Sequence, residues 1–307
     1  MPATVLDTIG DTPIVRLAHL TAPDSAEVWV KLEGHNPTGS YKDRMALAMI
    51  EGAARDGLLA PGQTVVEYTG GSTGTSLALV CALKGHPLRI VTSDAFAAEK
   101  LATMRAFGAR LDVIPSPDGI TPDLIPSMQR RARQIVEETG GYPTDQFRNR
   151  HMVEGYHALG DEIATQITGP IDVYCGYIGT AGCFLGVTTA LRAVHPDLRR
   201  VAIEPAESAV LSGGHPGTHR IEGGGVGFRP PQLTDGSFDE VQTVSTAEAF
   251  ATARRAVRED GIFSGPSTGA NLLVATRLAE RLGRGHRVVT VQVDSGTKYL
   301  GGELYRD

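Results

Sequence analysis

Short β-branched runs alternate along the chain with longer stretches whose apolar residues recur at helical spacing. Such alternation favours a mainly parallel sheet with helices on both faces, so the chain is predicted to be an α/β protein. The predicted strands are Val28–Leu32, Thr64–Tyr68, Leu88–Thr92, Arg110–Ile114, Ile171–Cys175, Arg200–Glu204 and Arg287–Val293. The predicted helices are Tyr41–Arg55, Thr73–Leu83, Ala97–Phe107, Leu124–Glu138, Val153–Ile167, Thr180–Val194, Ala247–Glu259 and Asn271–Leu282.

Charge and cysteine usage exclude several classes of function. The net charge is -6 and no long run of one sign occurs, which disfavours a nucleic-acid or membrane-surface role. The N-terminal residues lack a basic region followed by an apolar stretch, and no apolar run reaches the ~20 residues of a membrane span. The chain has three cysteines, Cys81, Cys175 and Cys183. Because their number is odd and they lie in apolar stretches, they are interpreted as reduced core thiols and not as a disulfide framework or a zinc site. A cytoplasmic protein without a bound metal is expected.

Lys42 lies where a predicted strand passes into a predicted helix, in the segment Asn36–Arg44. Ser40 is predicted to be the N-cap, with Asp43 as its capping partner, which places Lys42 in the first turn. The helix dipole disfavours a charged lysine there, and with burial it would lower the lysine pKa. A neutral amine of this kind is a nucleophile suited to covalent catalysis. A lysine that extends to solvent is the alternative.

Three glycine-rich turns follow predicted strands or precede predicted helices. Thr69–Gly74 and Gly179–Cys183 both place backbone N–H groups and a helix start at the end of a strand, where anions bind in α/β sheets. Neither has the spacing of a Walker loop or of a dinucleotide fingerprint, and a simple tight turn remains open for each. Gly265–Ala270 is interpreted by itself as a helix cap. The irregular region Pro205–Phe238 is longer than a simple connecting loop and is therefore expected to be functional.

Taken in order, these segments resemble the cysteine synthase and cystathionine β-synthase family of pyridoxal-phosphate enzymes, fold type II. The resemblance runs nearly end to end. It is carried by Ile9–Leu17, the Lys42 segment, Thr69–Gly74, Gln146-Phe147, Gly179–Cys183, Glu204-Pro205 with Ser208, His219–Pro230, Gly261-Ile262, Ser267–Ala270 and Ser295–Leu300. It implies two α/β domains: a large cofactor-binding domain from residues 1–39 and 148–307, and a smaller, mobile substrate-side domain from residues 40–147. It also implies a homodimer.

The resemblance also implies residue roles. Lys42 would hold pyridoxal 5'-phosphate as a Schiff base and later move the substrate α-proton. The cofactor phosphate would be bound by Gly179, Thr180, Ala181, Gly182 and Cys183. Ser267 would face the pyridine nitrogen, and Ser72 would reach the 3′-oxygen. Substrate would be held by Thr69, Gly70, Gly71, Ser72, Thr73 and Gln146, with Gly225 in the loop that lines the cofactor face.

The substrate loop departs from the family pattern. The family sequence Thr-Ser-Gly-Asn-Thr-Gly is Thr-Gly-Gly-Ser-Thr-Gly here, so Gly70 replaces serine and Ser72 replaces asparagine. Both replacements are smaller, which predicts a roomier substrate site, with either weaker discrimination between nucleophiles or a natural nucleophile bulkier than sulfide. In the phosphate loop, Ala181 and Cys183 replace the usual glycine and threonine. Phosphate binding is expected to survive, because backbone groups supply most of it.

The activity implied is β-replacement on an O-activated L-serine through an aminoacrylate, as in cysteine synthase of the O-acetylserine sulfhydrylase type, with sulfide or another nucleophile. An alternative is a β-eliminating lyase resembling cysteine desulfhydrase or serine dehydratase, in which no second nucleophile adds. Threonine synthase ranks third, because Pro37–Arg44 resembles its lysine segment too. An inactive binding or regulatory protein of the same fold is the alternative outside enzymes. Retention of Lys42, both anion loops and Ser267 argues against it.

Overall fold

The structure is a computed structural model that describes residues 3–117 and 123–306. Contacts divide the chain into two compact units: a first unit of Met1–Ile9 and Lys42–Gly155, and a second unit of Gly10–Tyr41 and Tyr156–Asp307. The strands are β1 (Ile14–Arg16), β2 (Glu27–Leu32), β3 (Val65–Tyr68), β4 (Leu88–Ser93), β5 (Arg110–Ile114), β6 (Tyr142–Pro143), β7 (Val173–Tyr177), β8 (Arg199–Pro205), β9 (Glu240–Val244) and β10 (Arg287–Gln292). The helices are α1 (Lys42–Arg55), α2 (Ser72–Lys84), α3 (Ala98–Ala106), α4 (Leu124–Thr139), α5 (His151–Gln166), α6 (Gly182–Val194), α7 (Thr246–Asp260) and α8 (Pro266–Leu282).

The first unit is built on a four-stranded sheet in the order β5-β4-β3-β6, and every neighbouring pair is parallel. Helix α4 packs on β3 and β4, and α1 packs against α2. Apolar residues of α4 recur at helical spacing, so one face of the helix contributes to an apolar core against the sheet. Its buried members are Val66, Val91, Leu124, Met128, Ala132 and Ile135.

The second unit is built on a six-stranded sheet in the order β1-β2-β10-β7-β8-β9. Strand β1 is antiparallel to β2, and every other neighbouring pair is parallel. Helix α8 packs on β7 and β10, and α7 packs on α8. Short aliphatic side chains dominate the core between α8 and the sheet, including Val28, Val173, Val201, Ala275 and Val288. Such strands are buried on both faces, which accounts for their continuous apolar runs.

The prediction of an α/β fold with mainly parallel sheets is confirmed, and each predicted strand and helix overlaps an observed one. Three strands were not predicted: β1 and β6 have only three and two residues, and β9 has a single buried residue. Strand β7 begins at Val173, two residues later than predicted. Helix α8 begins at Pro266, five residues earlier than predicted, because Gly265 caps it and proline suits a first helical position. Within the described residues, no helix is long and apolar enough to span a membrane.

Candidate functional site

Lys42 is the first residue of α1, and only 7% of it is exposed. The alternative of a lysine extending to solvent is therefore wrong. Ser40, the predicted cap, lies two residues before the first helical residue and forms a β-bridge with Asp294. Tyr41 N–H donates to Val293 O at 3.1 Å, so the residues leading into Lys42 are fixed by backbone hydrogen bonds.

The structure brings the predicted substrate residues of the first unit together around the start of α2. Thr73 Oγ1 donates to Gln146 Oε1 at 2.8 Å, and both residues are buried. Thr69 Oγ1 accepts from Gly71 N–H at 3.2 Å, which shapes the turn before the helix. Gly71 is the N-cap of α2 and supplies no side chain to cap it. The first turn of a helix has N–H groups without helical acceptors, so this end of α2 suits a carboxylate.

Gly70 is covered by the aromatic ring of Phe96. A Cβ atom added at Gly70 would overlap that ring, whereas one added at Gly71 would meet no atom within 4 Å. Phe96 is itself packed against the apolar core beneath α4. The volume that a serine side chain would occupy at position 70 is therefore filled, and the loss of that serine does not by itself make the site roomier.

Glu67 lies beneath the substrate residues and was not recognised from the sequence. This carboxylate is 1% exposed. Its Oε2 accepts from Thr144 Oγ1 at 2.7 Å and from Gln146 N–H at 3.1 Å, while its Oε1 accepts from Tyr68 N–H at 2.9 Å. Burial raises the pKa of Glu67 from its ordinary 4.5 to about 7, although these three hydrogen bonds oppose the shift. A single acidic residue inside the apolar run Thr64–Tyr68 was the available sequence signal.

The Gly179–Cys183 loop of the second unit connects β7 to α6. Ala181 is the N-cap of α6 with a φ of 72°, and no side chain caps the helix there. A Cβ atom at Gly179 would overlap the carbonyl oxygen of Gly223, so only glycine fits at this position. Thr180, Ala181 and Gly182 are buried and Cys183 is half-buried, which makes a compact cradle of backbone N–H groups for an anion.

Ser267 lies in the first turn of α8 and is 1% exposed. Within the described part of the chain, its Oγ atom has no hydrogen-bond partner. A Cβ atom at Gly223 would lie 3.6 Å from that oxygen, so Ser267 faces the Gly223–Phe228 loop. A buried hydroxyl without a partner is costly, so this oxygen is available to hydrogen-bond a ligand atom.

Gly225 belongs to the Gly223–Phe228 loop and has a φ of 63°. Its carbonyl oxygen accepts from His219 Nε2 at 2.8 Å, and its N–H donates to Ile178 O at 3.1 Å. The tautomer follows from the ring's other contact, because His219 Nδ1 accepts from Ile221 N–H at 3.2 Å. Two hydrogen bonds therefore fix the loop next to the phosphate cradle.

Two of the three cysteines lie where burial suppresses ionisation of the thiol. Burial raises the pKa of Cys81 and of Cys175 to about 12, so neither thiol ionises near neutral pH. Cys183 is half-buried, which corrects the expectation of a core thiol, and Tyr174 Oη lies 3.8 Å from its Sγ. Among the described residues, no group of three or more His, Cys, Asp or Glu side chains is arranged to hold a metal.

Known proteins are similar to this chain over nearly its whole length. A family described as pyridoxal-phosphate dependent enzyme matches residues 5–294. A cysteine synthase of Staphylococcus aureus is 39% identical over 299 residues, which cover 97% of this chain and 95% of that protein. The crystal structure of O-acetyl serine sulfhydrylase isoform 3 from Entamoeba histolytica is similar, with a TM-score of 0.94 and 33% identity, covering 100% of this chain and 92% of the other. An O-ureido-L-serine synthase structure has a TM-score of 0.93 and 34% identity, covering 99% and 95%.

The match extends over nearly the whole of this chain and of its relatives, so it is not confined to one domain. The chain belongs to the family of pyridoxal-phosphate dependent enzymes.

Proposed function

We propose that the protein catalyses β-replacement on an O-activated L-serine, with sulfide as the nucleophile, as a cysteine synthase does. The observation that carries the proposal is the 39% identity, over 97% of the chain, to a cysteine synthase. The buried Lys42 at the start of α1 and the pairing of Thr73 with Gln146 support it. Fold alone does not define an activity, so the argument depends on these side chains.

The residues present fit pyridoxal phosphate. The unpartnered Ser267 Oγ matches a ring nitrogen, and the Gly179–Cys183 cradle matches a phosphate. The residues that would hold the cofactor are Lys42, Ser72, Gly179, Thr180, Ala181, Gly182, Cys183 and Ser267. When bound, the cofactor supplies an electron sink that stabilises the charge left by removal of the α-proton.

Side chains and backbone groups of this protein would transfer the proton and bind the substrate carboxylate. Lys42 would hold the cofactor and, as a free amine, would accept the α-proton of the substrate at its Nζ atom. Gln146 Nε2 donates no hydrogen bond within the described part of the chain, so a substrate carboxylate can accept from it. The backbone N–H groups at the start of α2 complete the carboxylate site. Ser267, as a neutral group, would leave the ring nitrogen without a carboxylate partner, which would favour prompt loss of the leaving group.

The test is a substrate panel with the cofactor-loaded enzyme. Cysteine is expected from O-acetyl-L-serine with sulfide at a rate well above that from L-serine with sulfide. O-phospho-L-serine in place of the acetyl ester identifies the leaving group. Pyruvate formed from L-cysteine or L-serine alone, without cysteine formation from the ester, would instead identify a β-eliminating lyase. If the protein shows neither turnover nor cofactor absorption, the alternative of an inactive binding protein is supported.

A bulkier nucleophile is the second candidate, and Ser72 favours it. Serine is shorter than the family asparagine by an amide group, and a polar gap of this size admits about one water molecule. The similarity to an O-ureido-L-serine synthase gives a product class to test, because its product carries a ureido group on the serine oxygen. The test compares the rates of product formation with hydroxyurea, larger thiols and sulfide, in wild type and in Ser72→Asn. A wild type that accepts sulfide alone would contradict the second candidate.

Replacing Gly70 with serine is expected to raise the KM for O-acetyl-L-serine about tenfold. The new Cβ atom overlaps the Phe96 ring, and overpacking of this kind costs about 1–3 kcal/mol. Adding Phe96→Ala removes the overlap, so the double variant is expected to recover a KM within about threefold of wild type. Steady-state kinetics of the two single variants and the double variant measure the coupling.

The matched control is Gly236→Ser, because a Cβ atom at Gly236 meets nothing within 4 Å and its φ is not positive. Its KM should equal that of wild type. Additive effects of Gly70→Ser and Phe96→Ala would mean that the ring does not set the size of the substrate loop.

We also propose that the protein is a cytoplasmic homodimer. We further propose that residues 40–147 form the mobile substrate-side domain, and that residues 1–39 and 148–307 form the larger cofactor-binding domain. These three proposals rest on the family resemblance. Light scattering of the purified protein at micromolar concentration would give twice the chain mass of 32.5 kDa. A monomer mass would contradict the first.

A further inference from the structure

We propose that Glu67 is a positioning residue, whose negative charge holds Gln146 in place for the substrate carboxylate and makes substrate capture depend on pH. The inference rests on the substrate role of Gln146 and Thr73 proposed above. The reaction itself does not require a carboxylate beneath the substrate loop, so Glu67 adds a second layer to the substrate site.

The geometry connects Glu67 to the substrate residues through one short path. The carboxylate accepts from the backbone N–H of Gln146, and the side chain of Gln146 accepts from Thr73 Oγ1. All four groups are buried or belong to buried residues. A change in the hydrogen bond at one end of this path therefore moves the amide that faces the substrate.

Backbone strain next to Gln146 explains why an anchor is needed. Asp145 is not a glycine and yet has a φ of 45°, which costs of the order of 1 kcal/mol in the left-handed region. The residues on both sides of it, Thr144 and Gln146, donate to the same Glu67 oxygen. The carboxylate thus holds the two ends of a strained turn.

The charge of Glu67 is supported by hydrogen bonds alone. Within the described residues, no lysine, arginine or histidine forms an ion pair with it. The titratable groups that face it are Asp145 in the turn and the phenols of Tyr68 and Tyr142. Burial raises the pKa of both phenols, so they stay neutral near pH 7, and the negative charge of Asp145 opposes ionisation of Glu67.

When Glu67 is protonated, only one of its three hydrogen-bond partners can accept a hydrogen bond from it. The two backbone N–H groups that face Glu67 can only donate, whereas the Thr144 hydroxyl can also accept. The Thr144 hydroxyl has a second acceptor in Val66 O at 3.4 Å, so it can turn to donate there and accept a hydrogen bond from the protonated Oε2 of Glu67. The bond from Gln146 N–H then loses its charge assistance, and a charge-assisted hydrogen bond is about twice as strong as a neutral one.

Stability and substrate capture should change in opposite directions with pH. Because the pKa of Glu67 is raised to about 7 in the folded state, the folded protein holds a proton between about pH 4.5 and 7 that the unfolded chain has released. This contribution to stability is present below about pH 4.5 and is lost as the pH rises through 7. Substrate capture instead strengthens as Glu67 ionises over the upper part of that range.

The experiment uses the cofactor-loaded enzyme and L-alanine, which has the amino and carboxylate groups of the substrate but no leaving group. The Kd for L-alanine, measured by calorimetry, is expected to rise about fivefold between pH 8 and pH 6 in wild type. In Glu67→Gln, which mimics the protonated state, the Kd is expected to be weak at both pH values. The KM for O-acetyl-L-serine should follow the Kd, with kcat changed less than twofold.

The matched control is Asp112→Asn, which makes the same change at a carboxylate of the same unit that pairs with Arg89 and Arg131. It should retain the wild-type pH profile. A pH profile for Glu67→Gln that equals wild type, or wild-type affinity of this variant at pH 8, overturns the proposal. If Glu67→Gln does not fold, a flat wild-type Kd between pH 6 and 8 overturns it as well. Failure of wild type to form cysteine at pH 8 would instead count against the proposed function.

Discussion

Replacing Lys42 with alanine is expected to reduce cysteine formation by at least about a thousandfold while leaving the fold intact. Lys42 is the only side chain proposed both to hold the cofactor and to move the α-proton, and proton transfer alone contributes about 10² to 10⁴ in rate. Turnover and far-ultraviolet circular dichroism measure the two parts of this expectation. Alanine suits α1, so the helix itself should tolerate the change.

A chemical readout separates loss of attachment from loss of cofactor. Borohydride treatment followed by peptide mass spectrometry should find the cofactor on the peptide containing Lys42 in wild type. In Lys42→Ala the cofactor should still bind through the Gly179–Cys183 loop but remain removable by dialysis. Lys84→Ala is the control, because Lys84 pairs with Glu51 at the surface of the same unit. Covalent labelling that persists in Lys42→Ala would refute the assignment.

Replacing Ser267 with aspartate is expected to lower turnover by about a hundredfold or more without unfolding the protein. A carboxylate beside the pyridine nitrogen would favour its protonation and prolong the life of the charge that the ring accepts. The product distribution should then shift, and the absorption spectrum of the bound cofactor should change. Ser267 is buried, so the new carboxylate has little water to stabilise it and must interact with the ring.

The control for this prediction is Ser267→Ala, which removes the hydroxyl without adding charge. Its turnover should remain within about tenfold of wild type, because one neutral hydrogen bond contributes about 0.5–1.5 kcal/mol. Unchanged rate, products and spectrum in Ser267→Asp would show that Ser267 does not contact the ring nitrogen.

The sequence predicted the regular part of the fold because buried parallel strands and the helices between them have strong apolar periodicity. It failed for β1 and β6, which have three and two residues, and for β9, which has a single buried residue, so that pairing with a neighbouring strand defines these strands more than their own residues do. The start of α8 was missed because a Gly-Pro-Ser sequence is typical both of turns and of first helical turns.

For the site, motif order identified the loops and Lys42, but it could not supply tertiary contacts. The overlap of Phe96 with position 70 joins residues 26 positions apart, and the Glu67–Gln146 hydrogen bond joins residues 79 positions apart. Neither pairing follows from helical or strand periodicity. The β-bridge between Ser40 and Asp294 likewise joins distant parts of the chain.

The pairing of β2 with β10 has a consequence for how the protein is made. Glu27 of β2 lies opposite Arg287 of β10, 260 positions later in the chain. At about 5–20 residues per second, a ribosome takes roughly 13 to 52 s to synthesise the intervening chain. All strands of the first unit's sheet leave the ribosome within that interval, whereas β2 must wait for its partner strand. During biosynthesis the apolar face of β2 is therefore a target for chaperones, and a chain that is released early would lack the centre of its larger sheet.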